Sequence, residues 1–306
     1  MKASCKHPLL TLLSGVLLLS SFMQQERLAG QAKAPPKPGD LIMAQQLMPL
    51  TPLGEKTFPD NGSVHSSARA SVFMWPADLP AATHRANSIL ARMALVQYEP
   101  GGGTEAQVYT DIRERAIYVI AGRAKFRLGN SENQVGVGDL IFAPSGVKHG
   151  FEVEGEAPLR IILMEWRSGD MSKKRSLAGT IVSERLRPLK RLSSEDAGSH
   201  QGISASPFVT PQDYPTLSHK GNSSIAWISL QQYDADPTVI ATSPHTHHLS
   251  EQVFYLVEGR ARFELGDLNQ EVGPGELVYV PRHVKHGYVV LDEKPVKWLM
   301  ISWSGK

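Results

Sequence analysis

Two segments of the chain repeat each other. Residues 116–129 and 253–266 both contain Tyr, then Gly-Arg-Ala, then Phe, then Leu-Gly at the same spacing. Gly122 and Gly259 are 137 residues apart, and His149 and His286 are separated by the same distance in sequence. Because one separation relates several distant motifs, we infer an internal duplication and predict two similar domains, for which the chain is long enough.

Each copy consists of short apolar, β-branched runs separated by Gly, Pro and Asn. This pattern is typical of antiparallel barrels, and neither copy alternates strand with helix as a parallel sheet does. We therefore predict an all-β protein with two tandem jelly-roll β-barrels. The predicted regions are a signal peptide at 1–32, an extended N-terminal arm at 33–87, a first barrel at 88–167, a linker at 168–221 and a second barrel at 222–306.

The second copy carries a histidine pattern suited to metal binding. His245 and His247 are two positions apart, so their side chains point to the same face of a strand. His286 follows a second strand-like run and could meet them if the two strands are neighbours. Imidazole nitrogens are common ligands of first-row transition metals. Gln252 or Glu251 could supply a fourth ligand, and because adjacent residues point to opposite faces, only one of them should bind.

At these residues the chain resembles the cupin superfamily. The first cupin motif matches, with Gln in place of the usual Glu, at His245, His247, Gln252 and Gly259. The second motif matches, with His in place of the usual Gly, at Gly275, Pro281, His283 and His286. We prefer Gln252 because Glu251 would leave seven residues before the glycine instead of six. The resemblance covers most of residues 89–303 and implies a bicupin with an intact metal motif in its C-terminal barrel alone.

The resemblance implies one divalent transition metal, and these ligand types suit Mn, Fe, Ni, Zn or Cu. Three imidazoles and an amide oxygen are neutral, so the ion would keep its full charge and activate a carboxylate, enolate or alkoxide more strongly. This favours lyase or isomerase chemistry on a small carboxylate-bearing molecule. Two alternatives stay open: a dioxygenase, as many bicupins are, and a non-catalytic sugar- or metal-binding protein of the cell envelope.

The first copy lacks the histidine pair, and Arg115 stands at the position of the amide ligand. His149 is the one motif histidine that remains, so we predict a structural first barrel. The alternative is a carboxylate-binding pocket formed by Arg115, Tyr109 and His149. In a simpler interpretation, Asp111 or Glu114 pairs with the arginine.

Strand alternation also predicts the surroundings of the metal. If Gln252 points inward, Phe254 shares its face, and Tyr288 shares the face of His286. Arg262, on the next strand, would bind a substrate carboxylate if its face is the interior one.

Two further histidines, His248 and His283, have no ligand position in the motifs. We interpret His248 as exposed or as a neighbour of the ligands. His283 occupies a turn position, either at the rim of the pocket or on the surface. His65 and His84, in the N-terminal arm, show no ligand spacing, and we assign them no role.

The N-terminus resembles a secretory signal peptide. Lys2 and Lys6 precede an apolar run at 9–23 that is short for a bilayer span, and small residues follow near position 30. We predict export to the periplasm or the cell exterior, with no membrane span after cleavage. Cys5 is the only cysteine and precedes the run, so the mature chain would have no disulfide.

The charge balance narrows the class of partner. The formal net charge is +2, which is too small to indicate binding to nucleic acid. We therefore expect a small-molecule substrate. The cupin resemblance is also compatible with a homodimer.

Overall fold

The short apolar runs of the sequence form antiparallel strands. The computed structural model describes residues 42–44, 51–52, 65–74, 90–108, 113–144, 146–167, 179–193, 200, 202–210, 225–234 and 242–304. Within these ranges every helix or strand is a β-strand, which confirms the all-β prediction. The same ranges contain no helix long and apolar enough to cross a membrane. The predicted signal peptide, Tyr109 and Asp111 lie outside the described residues.

The N-terminal region adds strands to both barrels. Its described strands are β1 (Ile42–Ala44), β2 (Thr51–Pro52) and β3 (His65–Met74). β1 pairs with the strand Glu276–Val280 of the second barrel, whereas β3 pairs with the strand Leu90–Val108 of the first. The described parts of the predicted arm therefore extend existing sheets.

The first barrel is one strongly curled sheet. Its strands are β4 (Leu90–Val108), β5 (Arg113–Ala121), β6 (Arg123–Leu128), β7 (Ser131–Gly136), β8 (Asp139–Ala143), β9 (Lys148–Val153), β10 (Leu159–Arg167) and β11 (Thr180–Ser183). Their order is β11-β8-β5-β10-β4-β9-β6-β7. The long strand β4 pairs with β10 in its first half and with β9 in its second. Gly103 lies in that second half, where an added Cβ would lie 2.1 Å from the carbonyl oxygen of Phe151, so this close approach requires glycine.

The second barrel consists of two sheets. Its strands are β12 (Lys190–Arg191), β13 (Ile203–Val209), β14 (Ile225–Tyr233), β15 (Thr242–His245), β16 (Ser250–Glu258), β17 (Ala261–Leu265), β18 (Leu268–Val272), β19 (Glu276–Val280), β20 (His286–Val290) and β21 (Val296–Ser304). One sheet has the order β1-β19-β16-β21-β14-β13-β12 and the other β15-β20-β17-β18.

The predicted linker at 168–221 contributes strands to both barrels. β11 pairs with β8 of the first barrel, and β13 pairs with β14 of the second. These strands bury side chains such as Val182 and Phe208. The connection therefore completes both barrels, because its short apolar runs can be buried against the sheet edges.

Each barrel has its own interior core, and a third core joins the two barrels. In β5, Ile117 and Val119 face the first interior, while Ala116 and Tyr118 face the joining core. The matching residues of β16 divide in the same way between the joining core and the second interior. Alternation along each strand thus gives one face to a barrel interior and the other to the neighbouring barrel.

The joining core is built from equivalent positions of the two copies. Seven pairs of residues, each related by the repeat separation of 137 positions, lie in this core: Ala116 and Val253, Tyr118 and Tyr255, Leu140 and Leu277, Phe142 and Tyr279, Ile162 and Leu299, Met164 and Ile301, and Trp166 and Trp303. The rings of the last pair lie 6.3 Å apart. The barrels therefore pack as an isologous pair, like the subunits of a twofold dimer. Their separate interiors remain available for different chemistry.

Candidate metal centre

Three of the predicted ligands come together in the second barrel. β15 and β20 are neighbouring strands, with His245 opposite His286. His247 lies two residues beyond the end of β15. One ring nitrogen from each of the three histidines lies within 4.8 Å of the others. The Nε2 atoms of His245 and His247 are 3.0 Å apart, so their ligand atoms face a common point.

Backbone carbonyls orient two of the rings. His245 Nδ1 lies 2.9 Å from the carbonyl oxygen of Ser243, and His286 Nδ1 lies 3.1 Å from that of Val284. An Nδ1–H that donates to a carbonyl leaves the Nε2 lone pair available inside the cluster. Histidines that coordinate metals are commonly oriented by such a hydrogen bond.

Burial favours the neutral form of two of these histidines, His247 and His286. Burial, together with His245 and His247, lowers the pKa of His286 to about 3. Burial also lowers the pKa of His247, with a further contribution from His245. His286 Nε2 is buried and has no hydrogen-bond partner in the described structure. Neutral imidazoles at neutral pH are the form that binds a metal.

Gln252 and Glu251 lie on opposite faces of β16. Gln252 shares a face with Phe254, which lies in the second interior, and its Oε1 is buried without a donor among the described residues. Glu251 is completely buried on the other face. Its Oε2 accepts hydrogen bonds from Tyr279 Oη at 3.0 Å and from Trp303 Nε1 at 2.9 Å. The amide is therefore the side chain on the interior face, while the carboxylate is engaged in the core between the barrels.

This donor set fits a divalent transition metal. Three imidazoles face one point, and the described residues supply no donor to the buried amide oxygen on the interior face. An unpaired buried acceptor costs free energy, and an ion would remove that cost. The residues that could hold it are His245, His247, Gln252 and His286.

The sequence profile of the cupin domain matches residues 94–165 and 235–302, one match in each barrel. The chain is a two-domain cupin. A curated relative is an uncharacterised protein of Methanocaldococcus jannaschii, 31% identical over 67 residues, which are 22% of this chain and 54% of that protein. The match therefore spans about half of that relative's length.

Solved structures share the fold of most of the chain. Protein Ylba from Escherichia coli has a TM-score of 0.63 and 13% identity, over 92% of this chain and 96% of that one. The formate complex of Lactobacillus farciminis oxalate decarboxylase has a TM-score of 0.59 and 11% identity, over 86% of each chain. A Pseudomonas aeruginosa protein described as glyoxylate-induced has a TM-score of 0.65 and 14% identity, over 87% of this chain and 88% of that one. At these identities the likeness is one of fold.

Aromatic rings surround the interior of the cupin's second barrel. Phe254 and Tyr288, both predicted pocket residues, lie in this core with their rings 6.1 Å apart. Trp298 contacts both, at 4.5 Å from Tyr288 and 5.7 Å from Phe254. The placement of Arg262 in the pocket was wrong, because its side chain is exposed and its neighbour Phe263 occupies the inward face of β17.

His200 is a site residue that the sequence reading missed. Its Nδ1 lies 3.2 Å from Tyr233 Oη and 3.4 Å from Tyr288 Oη, and its ring lies 5.2 Å from that of His245. Burial, with His245 and His247, lowers its pKa to about 4. His200 belongs to the segment predicted as a linker and has no ligand spacing. Tertiary packing alone brings it beside the cluster.

An ion-pair cluster occupies the equivalent part of the first barrel. Arg115 Nε donates to Glu165 Oε1 at 2.8 Å, and Arg92 also contacts Glu165. All three side chains are buried. The sequence predicted Asp111 or Glu114 as the partner of Arg115. The structure pairs Arg115 with Glu165, which lies directly across from it on β10.

His149 lies in the same buried region of the first barrel. Its Nδ1 is 2.8 Å from the carbonyl oxygen of Val147, as in the corresponding contact of His286. Burial, with a contribution from Arg115, lowers its pKa to about 4. The first barrel thus keeps one motif histidine beside an internal salt bridge.

Proposed function

We propose that this cupin is an exported, metal-dependent enzyme that acts on a small carboxylate-bearing molecule by lyase- or isomerase-type chemistry in its second barrel. The observation that carries the proposal is the convergence of three imidazoles in the barrel whose interior face also has a buried amide oxygen, for which the described residues supply no donor. His245, His247, Gln252 and His286 would bind one divalent ion of the group Mn, Fe, Ni, Zn and Cu.

The chain's own residues would position the substrate. A bound divalent ion supplies Lewis-acid activation of a carboxylate or enolate oxygen, and neutral ligands leave its charge undiminished. The apolar wall formed by Phe254 and Trp298 would exclude water from the reacting group. His200, with the hydroxyl groups of Tyr233 and Tyr288, offers hydrogen bonds for a substrate oxygen beside the cluster.

One of the solved relatives supports the substrate class. An oxalate decarboxylase, by its name, acts on a small dicarboxylate, and it shares the two-barrel fold. Its identity to this chain is 11%, so it supports a class of substrate and names none. Export and a homodimer stay predictions, and export rests on the sequence of residues 1–32.

Metal content and turnover test the proposal together. We would purify the protein without chelators, measure its metals, and screen small carboxylates, including oxalate, with the metal-loaded form. We expect stoichiometric metal, product formation that stops on chelation, and loss of both in His245→Ala/His286→Ala. Turnover that survives chelation would contradict the proposal. Oxygen uptake would favour a dioxygenase, and tight ligand binding without product would favour a binding protein of the cell envelope.

A further inference from the structure

Two histidines outside the candidate centre contact each other on the surface. His248 Nδ1 and His283 Nδ1 are 3.2 Å apart, and their ring centroids are 5.4 Å apart. Both side chains are exposed. Neither residue occupies a ligand position of the cupin motifs. Their nitrogens are thus within reach of ions from the solvent.

The backbone holds this pair in place. The amide of His283 donates to the carbonyl of His247 at 2.8 Å, which ties the β19–β20 turn to the loop that carries His248. The two imidazoles are therefore presented by loops that are joined to each other. A pair built in this way loses less conformational entropy when it binds an ion.

His283 occupies a position that favours glycine. Its φ is 64°, in the left-handed region, and the equivalent Gly146 of the first barrel has a φ of 81°. A residue with a side chain is disfavoured in this conformation, because its Cβ approaches the following carbonyl oxygen. Strained backbone of this kind is often found at functional sites. The unfavourable conformation at His283 therefore points to a functional role for its imidazole.

The spacing of the two nitrogens matches chelation. A metal–nitrogen bond is about 2.0–2.1 Å long. An ion bound at that distance to both Nδ1 atoms would have an N–metal–N angle of about 100°, between the square-planar and tetrahedral values. A direct N–H···N bond would give the same separation, but an exposed hydrogen bond contributes little and does not explain a histidine at a left-handed position.

We propose that His248 and His283 form a second metal site, at the rim of the second barrel, which binds a divalent transition ion such as Cu²⁺, Ni²⁺ or Zn²⁺ with water completing its coordination. With two protein ligands, this site binds more weakly than a four-ligand centre. It is independent of the proposed enzymatic function, because it shares no ligand with the inner cluster.

Copper titration of the full chain tests the second site. We would follow Cu²⁺ binding by calorimetry and by electron paramagnetic resonance in the parent, His248→Ala, His283→Gly and His245→Ala/His286→Ala. The parent should bind one equivalent of Cu²⁺ tightly and a second equivalent more weakly. Both rim variants should lose the weaker one and keep the tight one. His283→Gly is a secure test because glycine suits the backbone there.

The inner double variant separates the two proposals. It should lose the tight equivalent and keep the weaker one, with nitrogen hyperfine coupling that disappears when His283→Gly is added. A parent protein that binds only the weaker equivalent would count against the proposed function and would leave the proposal of a rim site intact. A weaker equivalent that persists in both rim variants, or its absence from the parent, would overturn the rim site.

Discussion

The two barrels of this cupin share a fold and differ at the same pair of facing residues. In the first barrel Arg115 lies across from Glu165, and in the second Gln252 lies across from Ser302. Each pair connects equivalent strands and lies on the inward face. The barrel architecture therefore does not determine what the interior binds. At this pair of positions the first barrel has an ion pair and the second has neutral side chains, and the second alone also has the histidine pair.

The difference is electrostatic. A buried guanidinium needs a carboxylate, and the first barrel supplies one within the protein. The second barrel has an amide and a hydroxyl at those positions, and three imidazoles converge in the same barrel. Neutral donors attract a cation from outside, whereas an internal cation repels it. The first interior is thus closed by charge pairing, and the second is suited to a metal.

The largest effect should come from exchanging these pairs. Gln252→Arg/Ser302→Glu installs the first barrel's ion pair in the second, so we expect metal content to fall from one equivalent to none. Elemental analysis of the purified variant measures this. The reverse exchange, Arg115→Gln/Glu165→Ser, should leave metal content unchanged. Full metal occupancy in the Gln252→Arg/Ser302→Glu protein would show that the charge at this position does not control binding.

Removing one carboxylate should strongly destabilise the first barrel. Glu165→Gln leaves Arg92 and Arg115 buried with a reduced counter-charge, which typically costs about 3–5 kcal/mol of unfolding free energy. Denaturant unfolding, followed by tryptophan fluorescence, measures the loss. The matched Ser302→Ala should change stability by less than about 1 kcal/mol. Equal losses in the two variants would contradict the assignment of the first interior to a structural salt bridge.

His149 should make the protein less stable in acid. Its folded pKa of about 4 lies below the unfolded value of about 6.5, so between these values the unfolded chain binds a proton that the folded chain does not. Stability therefore falls as the pH drops, by about 1.6 kcal/mol from this group between pH 6.5 and pH 5. Urea unfolding at both pH values should show a smaller fall in His149→Gln. An identical fall in parent and variant would place the acid sensitivity elsewhere.

The smallest expected effect is a change in stability caused by the left-handed φ at residues 146 and 283. His283→Gly should stabilise the second barrel, and Gly146→His should destabilise the first, each by about 1 kcal/mol. A Cβ added at Gly146 meets no described atom within 4 Å, so the expected cost comes from the left-handed backbone. Thermal unfolding of both variants checks the sign. A destabilised His283→Gly protein would show that the contact with His248 outweighs the strain.

Sequence patterns predicted those features that depend on local spacing. The repeat separation predicted two domains, and short alternating runs predicted antiparallel strands. The same alternation placed Gln252 and Glu251 on opposite faces, as the structure has them. The motif spacing selected three histidines that the structure brings within 4.8 Å. Spacing along a strand is a property of neighbouring residues, so these features can be predicted without the tertiary fold.

Other features depended on which distant segments meet. Alternation gives two faces without saying which is interior, so Arg262 was assigned to the wrong one. The partner of Arg115 is Glu165, 50 residues away on a neighbouring strand. His200 reaches the cluster only because the connecting segment folds against the second barrel. The sequence by itself determines the alternation of side chains along a strand and the order of the motifs. Barrel closure and the packing of the two copies against each other determine which side chains share an interior.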